Sequence, residues 1–555
     1  MNIKKKIQKI LFHFLLLSCS SSIQAVEFED DFDSFLDNAD VNAFLDANEF
    51  TFVRKSFDPP GIITILEEMG ITSILEENFY LRTNPLNKRN IIDLPNGLFD
   101  KTYYYNNWVF GVELFFNKTD RSYFTRKCDA ISSYLALAEE SFLQKLDAAA
   151  KNIEELEVGD FDFDPLDVIT LFINGTIQER RIGALIHGQK TIRDINIAFK
   201  LPFYWLERNF WFTEKEQQAI EDELGTTTAE EQEKMQELHM ISDKLGFGDT
   251  RIMVDYPITT SEKFSSCIGF LTTLPFAWAP AKGIMGNKFE DQRLGHNADF
   301  KEMTGYHLDE LFTLATGTDD QKQEAFNILT KLGYNAIDHL AANLLDTKIG
   351  NDRHFGLGIL FKSITPLTTL IKRLRGSVAE NIVWKSFISL EYLFPSREKR
   401  FFTETVDERL LNVVKSTFND DDKAQQNMEF IESQMIDKLF PFVYEARVHP
   451  GVVFRWTGKA TYESERFGIH IGTDTWIKSP EKLYNIEAPK NQRDRLNIEK
   501  AQRLLAYQWK IIGSLFYKSE REKRNWIFSL NGDYSWSTSG IGADYTLSLN
   551  FEVEF

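Results

Sequence analysis

The sequence has few cysteines and few long apolar runs, and each shortage excludes a class of protein. Only 3 of the 555 residues are cysteine, too few for the disulfide frameworks that stabilise small secreted domains. Beyond the N-terminus, no uncharged apolar segment reaches the roughly 20 residues that a membrane-spanning helix needs. The sequence therefore predicts neither a disulfide scaffold nor a helical membrane protein.

Basic charge and catalytic motifs are also missing. The chain has 63 lysines and arginines against 83 acidic residues, for a formal net charge of -20. No basic stripe can neutralise phosphates, so we exclude nucleic acid as a partner. The nine histidines form no cluster with metal-ligand spacing, and no zinc-protease, nucleophile-elbow or phosphate-loop motif occurs. We predict a protein without enzymatic activity, catalytic residues, cofactor or metal.

The N-terminal 25 residues have the three parts of a secretory signal peptide. Lys4, Lys5, Lys6 and Lys9 form a basic head, residues 10–17 are apolar, and the Ser-Ile-Gln-Ala sequence ending at Ala25 suits cleavage. An alternative stays open, in which Leu-Leu-Ser-Cys at residues 16–19 is a lipoprotein box. Either interpretation predicts export from the cytoplasm.

The last fifteen residues alternate strictly between apolar and polar side chains and end in Phe555. Such alternation is typical of a strand with one apolar and one wet face. Together with the terminal phenylalanine, it resembles the C-terminal signature of bacterial outer-membrane β-barrels. The resemblance implies that the chain is inserted in the outer membrane and surrounded by its lipid. It also implies that the barrel assembly machinery is a partner and reads Phe555 as an assembly signal.

Alternating segments of about ten residues recur along the chain, the length that a tilted strand needs to cross a bilayer. Aromatic residues make up 14% of the chain, with 47 phenylalanines, as suits rings that face lipid. We expect about twelve strands, within a range of ten to fourteen, at residues 107–117, 179–189, 195–206, 248–258, 265–278, 355–363, 381–394, 452–462, 467–476, 505–518, 525–536 and 541–555.

Connection lengths favour the same topology. The connections after the second, fourth, eighth and tenth of these segments are short, and that after the sixth is of medium length. Those after the first, third, fifth, seventh and ninth are long, and the eleventh is the one short exception. Outer-membrane barrels have short periplasmic turns, long outer loops and an even number of strands. The fold class that we predict is thus an all-β membrane protein, an antiparallel transmembrane barrel with large helical extracellular loops.

The domain organisation follows from these segments. Residues 1–25 form the signal peptide, residues 26–100 an acidic N-terminal segment that lies in the periplasm or plugs the barrel, and residues 101–555 the barrel. Helical periodicity predicts the large loop insertions at about residues 128–158, 213–245, 300–347 and 405–440.

If the apolar faces meet lipid, the opposite faces line the lumen. Their side chains carry both signs of charge, so they either pair across neighbouring strands or surround water. A more specific hypothesis places Lys385, Arg455, Lys459 and Lys510 in a basic strip that attracts anions. The residues predicted to line the lumen are Glu113, Lys200, Arg251, Asp255, Lys385, Arg455, Lys459, His470, Asp474, Lys510, Asp533 and Glu552.

The segment GFGDTRI at residues 246–252 resembles a recurring segment of one barrel group, the outer-membrane channels of the fatty-acid and aromatic-compound transport type. That resemblance implies about fourteen strands, an N-terminal plug and passage of hydrophobic molecules. The present sequence departs from the group in its large helical loops, and the plug motif has no match in it.

The sequence therefore predicts a porin-like outer-membrane channel for the passive passage of small solutes, including hydrophobic ones. The alternative is a surface protein whose barrel only anchors helical loops that mediate interaction or adhesion. A membrane enzyme is the third hypothesis. The sequence specifies neither the solute nor the oligomeric state.

Overall fold

The computed structural model describes residues 87–94, 108–119, 125–126, 129–130, 176–211, 241–261, 264–278, 348–370, 381–402, 442–521 and 524–555. Within these ranges the strands are β1 Trp108–Thr119, β2 Thr125–Arg126, β3 Asp129–Ala130, β4 Thr176–Ile192, β5 Ile195–Trp211, β6 Ile241–Phe247, β7 Thr250–Ser261, β8 Phe264–Leu274, β9 Gly356–Pro366, β10 Ile382–Leu393, β11 Ser396–Phe402, β12 Phe442–His449, β13 Gly451–Glu463, β14 Phe467–Lys478, β15 Lys482–Tyr484, β16 Ala506–Arg521, β17 Arg524–Ser539 and β18 Asp544–Glu554. A 3₁₀ helix, Ile91–Asp93, and two short α-helices, α1 Leu367–Leu370 and α2 Lys490–Arg493, complete these ranges.

The principal sheet is a closed antiparallel barrel with twelve strand positions. Its order is β4-β1-β18-β17-β16-β14-β13-β10-β9-β8-β7-β5, and pairing of β5 with β4 closes the ring. Strands β6 and β7 share one position, because β6 pairs with residues 203–209 of β5 and β7 with residues 196–200. The predicted strand number and antiparallel barrel are confirmed, and each predicted segment overlaps one position of the ring.

The short connections after β4, β7, β13 and β16 lie at the same end of the barrel as the C-terminus, which we call the turn end; the short connection between β17 and β18 lies at the other end. Val109, near the start of β1, pairs with Glu554, at the end of β18. Trp108 pairs with Lys190, next to the two-residue turn that joins β4 to β5. Arg193 in that turn adopts a φ of 58°, the left-handed conformation that tight hairpins require. The long connections meet at the opposite end, the loop end.

The loop end carries a second sheet that sequence reasoning did not predict. Strands β11, β12 and β15 form it, with Arg447 of β12 opposite both Arg397 and Tyr484. We call it the outer sheet. It has a hydrophobic core of its own, made of Phe402, Phe442, Ala446, Val448, Leu483, Ile486, Ala488, Leu496 and Ala501.

The four predicted helical loops fall almost entirely outside the described residues. At their edges, residues 129–130 lie in β3 and residues 241–245 in β6, so these positions are strand and not helix. The predicted signal peptide also lies outside the described residues. In the described part of the chain, no helix is both long and apolar enough to cross a membrane.

Candidate functional site: the barrel lumen

The barrel wall has an inverted polarity, with apolar side chains outside and charged ones inside. On β18 the outward Leu549 is 60% exposed, whereas the inward Glu552 is 1% exposed. Strand β1 repeats the pattern, with Leu114 exposed and Glu113 buried. An apolar exterior around a polar interior is the arrangement of a barrel whose outer surface faces hydrocarbon. The chain is a transmembrane β-barrel of the outer-membrane type.

All twelve residues predicted to line the lumen of this outer-membrane barrel have buried side chains, each on the inward face of its strand. Several of them are paired with a charge on the neighbouring strand or on the next strand but one. Lys510 contacts Asp533 at 2.7 Å and Asp544 at 2.8 Å. Asp255 accepts a bond of 2.7 Å from Lys362. The remaining predicted lining residues lie at Glu113, Lys200, Arg251, Lys385, Arg455, Lys459, His470, Asp474 and Glu552.

The hypothesised basic strip is interrupted by carboxylates. The Nε of Arg455 lies 3.0 Å from Asp474, and Lys510 has the two aspartates named above. Lys385 and Lys459 do lie together, directly opposite each other across β10 and β13. Carboxylates therefore pair with two of the four cations, Arg455 and Lys510, and the other two, Lys385 and Lys459, lie side by side on the wall.

A segment outside the strands, residues 87–94, crosses the lumen, and we call it the luminal segment. The Arg89 guanidinium is ion-paired with Asp474 on β14 and donates to Gln508 on β16 at 3.1 Å. On another part of the wall, Asp93 is ion-paired with Arg251 on β7. These contacts, all buried, tie the segment to the neighbouring strands β14 and β16 and to β7, which lies apart from them in the ring. Arg251 also binds Glu391 at 2.6 Å.

Apolar contacts hold the same segment against one part of the wall. Ile91 and Leu94 pack with Phe115 of β1 and Leu185 of β4, in a cluster that also contains Tyr204, Leu206 and Ile349. A cavity of about 20 Å³ remains beside them, bounded on its polar side by Glu113, Asn531 and Ser548. That volume suits a water molecule and is too small for a solute. The luminal segment thus fits closely against β1 and β4.

The luminal segment runs from the loop end into the barrel. Asn87 donates to the carbonyl of Leu504 at 2.9 Å, and Lys88 to the carbonyl of Lys348 at 2.6 Å. Both acceptors belong to long connections at the loop end. Seven residues later, Leu94 packs on the inward face of β1 and β4, as described above. Only residues 87–94 of the predicted N-terminal segment 26–100 are described.

Asp249 lies in the two-residue gap that separates β6 from β7. Gly248 donates its N–H to the Pro202 carbonyl at 2.8 Å, and the register slips there between β6 and β7. The Asp249 carboxylate accepts from the backbone N–H of Asn351 at 2.5 Å and from the Asn90 side chain at 3.1 Å. Asp249 therefore ties the luminal segment to this break in the wall.

Lys88 joins a buried group of ion pairs at the loop end, which we call the outer charged cluster. Its members are Lys88, Lys348, Asp352, Glu398, Arg400, Lys478, Glu481 and Arg503. Burial alone would raise the pKa of Asp352, but Lys348, Lys88 and Arg503 outweigh it and hold that pKa well below its ordinary value. Burial lowers the pKa of Lys88 to about 8.

His354 and Ser396 extend this cluster toward the outer sheet. The Nε2 of His354 lies 2.5 Å from Glu398, and its Nδ1 lies 2.8 Å from the Phe394 carbonyl. The Ser396 hydroxyl donates to the Asp352 carbonyl at 3.0 Å. Through these contacts, β11 of the outer sheet is fastened to the loop end of the barrel. In the described residues, no group of three His, Cys, Asp or Glu side chains is arranged to hold a metal ion.

Comparisons with known proteins return solved structures only. No family model and no curated protein matches the sequence. An outer membrane channel from Pseudomonas putida F1 shares 8% identity, with 83% of this chain and 100% of that chain covered, at a TM-score of 0.38. The P. putida toluene transporter TodX shares 6% identity over 81% and 88% of the two chains, at 0.25. A Pseudomonas aeruginosa FadL homologue shares 5% over 81% and 88%, at 0.23. Identities and TM-scores this low do not assign a function to the chain.

Proposed function

We propose that the protein is an outer-membrane channel for small water-soluble solutes, and that the luminal segment closes it in the conformation described above. The observation that supports this is the charged interior, crossed by a non-strand segment whose polar contacts can exchange for water. A barrel that served only as an anchor could fill its interior with apolar side chains, which need no partners.

The ionic contacts of the luminal segment can be released without leaving the charges of the wall unpaired. Two side chains of the segment, Arg89 and Asp93, form ion pairs with the wall. Each of their wall partners has a second ion-pair partner within the wall. Asp474 keeps Arg455, and Arg251 keeps Glu391, when the segment leaves. The wall charges therefore stay paired in an open state, which lowers the cost of opening.

Charged lining residues favour water-soluble solutes over hydrophobic ones. Lys200, Asp255 and Lys362 lie on the inward face of one half of the wall, and Asp533 and Glu552 on the other. An apolar molecule would have to desolvate such groups on its way through. Passive passage through water between these charged side chains needs no cofactor. The one conformational change that it needs is release of the luminal segment.

Single-channel recording in planar bilayers tests the proposal. The double variant Arg89→Gln with Asp93→Asn removes both ionic contacts of the segment and should raise the open fraction at least several-fold. Lys362→Gln is the matched control, because it breaks the equally buried wall pair with Asp255 without touching the segment. Liposome swelling with small sugars measures solute passage in the same variants.

The recordings also separate the proposal from its rival. Absence of conductance in the wild type and in the double variant would leave the barrel as an anchor for surface loops. Equal conductance in all three proteins would keep the channel but remove the luminal segment as its closing element.

A further inference from the structure

The outer sheet continues three strands of the barrel wall beyond the loop end. Strand β11 follows β10 after two residues, β12 precedes β13 by one residue, and β15 follows β14 after three residues. The order β11-β12-β15 in the outer sheet matches the order β10-β13-β14 in the ring. The outer sheet therefore extends the wall, and it has an inner face and an outward face as the wall does.

Side chains alternate between these two faces. Glu398 and Arg400 lie on the inner face, within the outer charged cluster, and Val448 and Leu483 lie there in the hydrophobic core. The residues between them point outward. We call this outward side the basic face, and its members are Arg397, Lys399, Glu445, Arg447, His449, Lys482 and Tyr484.

The basic face has more cations than carboxylates. Its exposed cations are Arg397, Lys399, Arg447 and Lys482. Arg397 is ion-paired with Glu445 at 3.2 Å and with Glu487, just beyond β15, at 2.9 Å. For the other three cations, no ion pair with a carboxylate occurs among the residues that the structure describes. The face is thus positively charged in a chain whose formal net charge is -20.

Aromatic side chains border the basic face on the side of the barrel wall. On the outward face of β10, Tyr392 is 39% exposed and Phe394 is 41% exposed, and their ring centroids lie 5.0 Å apart. The ring of His449, which belongs to the basic face, lies 5.1 Å from that of Tyr392. Exposed aromatic rings form girdles at the membrane interfaces of such barrels. The basic face therefore begins where the apolar, lipid-facing wall ends.

We propose that the basic face binds the phosphate groups of anionic lipid in the leaflet around the loop end. Lysines and arginines next to a membrane interface are attracted to anionic headgroups. The guanidinium of Arg447 suits phosphate, because two of its N–H groups can donate in parallel to two oxygens. It lies 5.6 Å from the ring centroid of Tyr484, an amphipathic side chain of the kind that is enriched at this level of a membrane.

The position of the basic face favours a lipid over a dissolved anion. Its cations are exposed and spread over three strands, and exposed ion pairs contribute little by themselves. A lipid held there by its phosphate also places its acyl chains against the apolar wall below, where the outward Leu390 is 41% exposed. Headgroup and acyl chains then contact adjoining parts of one surface. This binding does not depend on conduction through the barrel.

Native mass spectrometry of the refolded full-length protein in detergent tests the proposal, because it counts the lipids bound to each barrel. The probe is lipid A, and the reference lipid is lipid A from which the phosphate groups have been removed. We expect the wild type to bind lipid A about tenfold more tightly than the reference lipid. The double variant Arg447→Gln with Lys482→Gln should lose this preference.

The matched control is the double variant Arg466→Gln with Lys490→Gln. It also removes two exposed cations, but one lies in the turn between β13 and β14 and the other on α2, away from the basic face. All four side chains are exposed, so we expect both double variants to fold and to migrate faster on a gel before boiling than after it. The control should keep the preference for lipid A.

Loss of the preference in the first double variant, with retention in the control, supports the proposal. The proposal fails if the lipid without phosphate binds as well as lipid A, if the first double variant keeps the preference, or if the control loses it equally. It also fails if inorganic phosphate displaces lipid A at the same concentration, because the face would then be a site for free phosphate.

Discussion

Arg89 and Asp474 form a buried ion pair across the barrel lumen although 385 positions separate them in the sequence. The same carboxylate also accepts from Arg455 at 3.0 Å and from the Thr457 hydroxyl at 2.5 Å. Asp474 is therefore the point at which the luminal segment and two wall strands meet.

Asp474→Asn should cost more stability than Arg89→Gln. The first change leaves two buried guanidinium groups facing a neutral amide, for which about 3–5 kcal/mol is typical. The second leaves Asp474 with Arg455 and Thr457, so we expect a loss of about 1–3 kcal/mol. Urea unfolding of the refolded proteins in detergent gives both values. A larger loss for Arg89→Gln would show that the guanidinium contributes mainly through Gln508 and not through Asp474.

Gly468→Ala should destabilise the barrel. A Cβ at this position on β14 would collide with the ring of Phe516 on β16, which also stacks on His470 with ring centroids 4.8 Å apart. Overpacking of this kind costs about 1–3 kcal/mol.

The double variant Gly468→Ala with Phe516→Leu tests the cause. If the collision is responsible, the two changes are not additive, and the double variant loses less than the sum of the single ones. Strict additivity in urea unfolding would mean that the glycine serves something other than close approach of the ring.

Acid should weaken the outer charged cluster. The pKa of Asp352 and that of Glu398 are both held below their ordinary values, since nearby cations outweigh burial. The unfolded state then binds more protons than the folded state in this range. Their stabilising contribution is complete above the unfolded carboxylate pKa of about 4 and is lost as the pH falls through the folded values.

Unfolding free energies measured between pH 7 and pH 3 check this dependence. Asp352→Asn should flatten the acid part of the curve, because one of the two titrating carboxylates is gone. The exposed Glu487→Gln on the loop that follows the outer sheet is the control and should leave the slope unchanged. A wild-type protein that gained stability toward pH 3 would contradict the assignment.

The outer sheet should unfold locally without opening the barrel. Phe402 is fully buried in the outer-sheet core, so Phe402→Ala should cost about 3–5 kcal/mol of that sheet's stability. We expect faster proteolysis within residues 396–402 and 442–449. We also expect the unboiled variant still to migrate faster on a gel than the boiled one, as a closed barrel that resists detergent does. Loss of the fast-migrating form would instead make the outer sheet part of the barrel's own cooperative unit.

Removal of Phe555 should impair assembly in cells more than folding in detergent. Its N–H donates to the Trp108 carbonyl at 2.8 Å, and Arg524 lies over its ring at 5.4 Å, but half of the residue is exposed. The lost contacts are therefore small compared with the twelve-stranded ring. The amount of heat-modifiable protein in outer membranes measures assembly in cells, and the yield of refolding in detergent measures folding. Equal losses in both measurements would argue against an assembly signal.

Period-two alternation located the strands because each wall strand places mainly apolar side chains outside and mainly polar side chains inside. The same signal fails for β11, where Glu398 and Arg400 face the outer charged cluster and Phe401 and Phe402 are both buried. A strand that ends in a core and begins in an ion-pair cluster has no single polarity, so its sequence reads as a loop.

A plug within residues 26–100 is one of the two predicted alternatives, but residues 87–94 could not be singled out within that range. These eight residues are too few to show a period, and their partners are remote: Asp93 meets Arg251 158 positions away. Similarly, sequence alone placed Lys385, Arg455, Lys459 and Lys510 on inward faces but not their acceptors, because register across strands decides which carboxylate each cation meets. The one available hint was a charged pair, Arg89 and Asp93, flanking two isoleucines.

The position of the luminal segment places it beside the seam of the ring. Strands β1 and β18 come from opposite ends of the chain, and their pairing is the seam that completes the ring. Leu94 packs against Phe115 of β1, only fourteen positions before that strand begins. The segment is therefore tethered to the strand that closes the ring. Its ion pairs, to Asp474 on β14 and Arg251 on β7, bridge the lumen between strands that are remote from the seam.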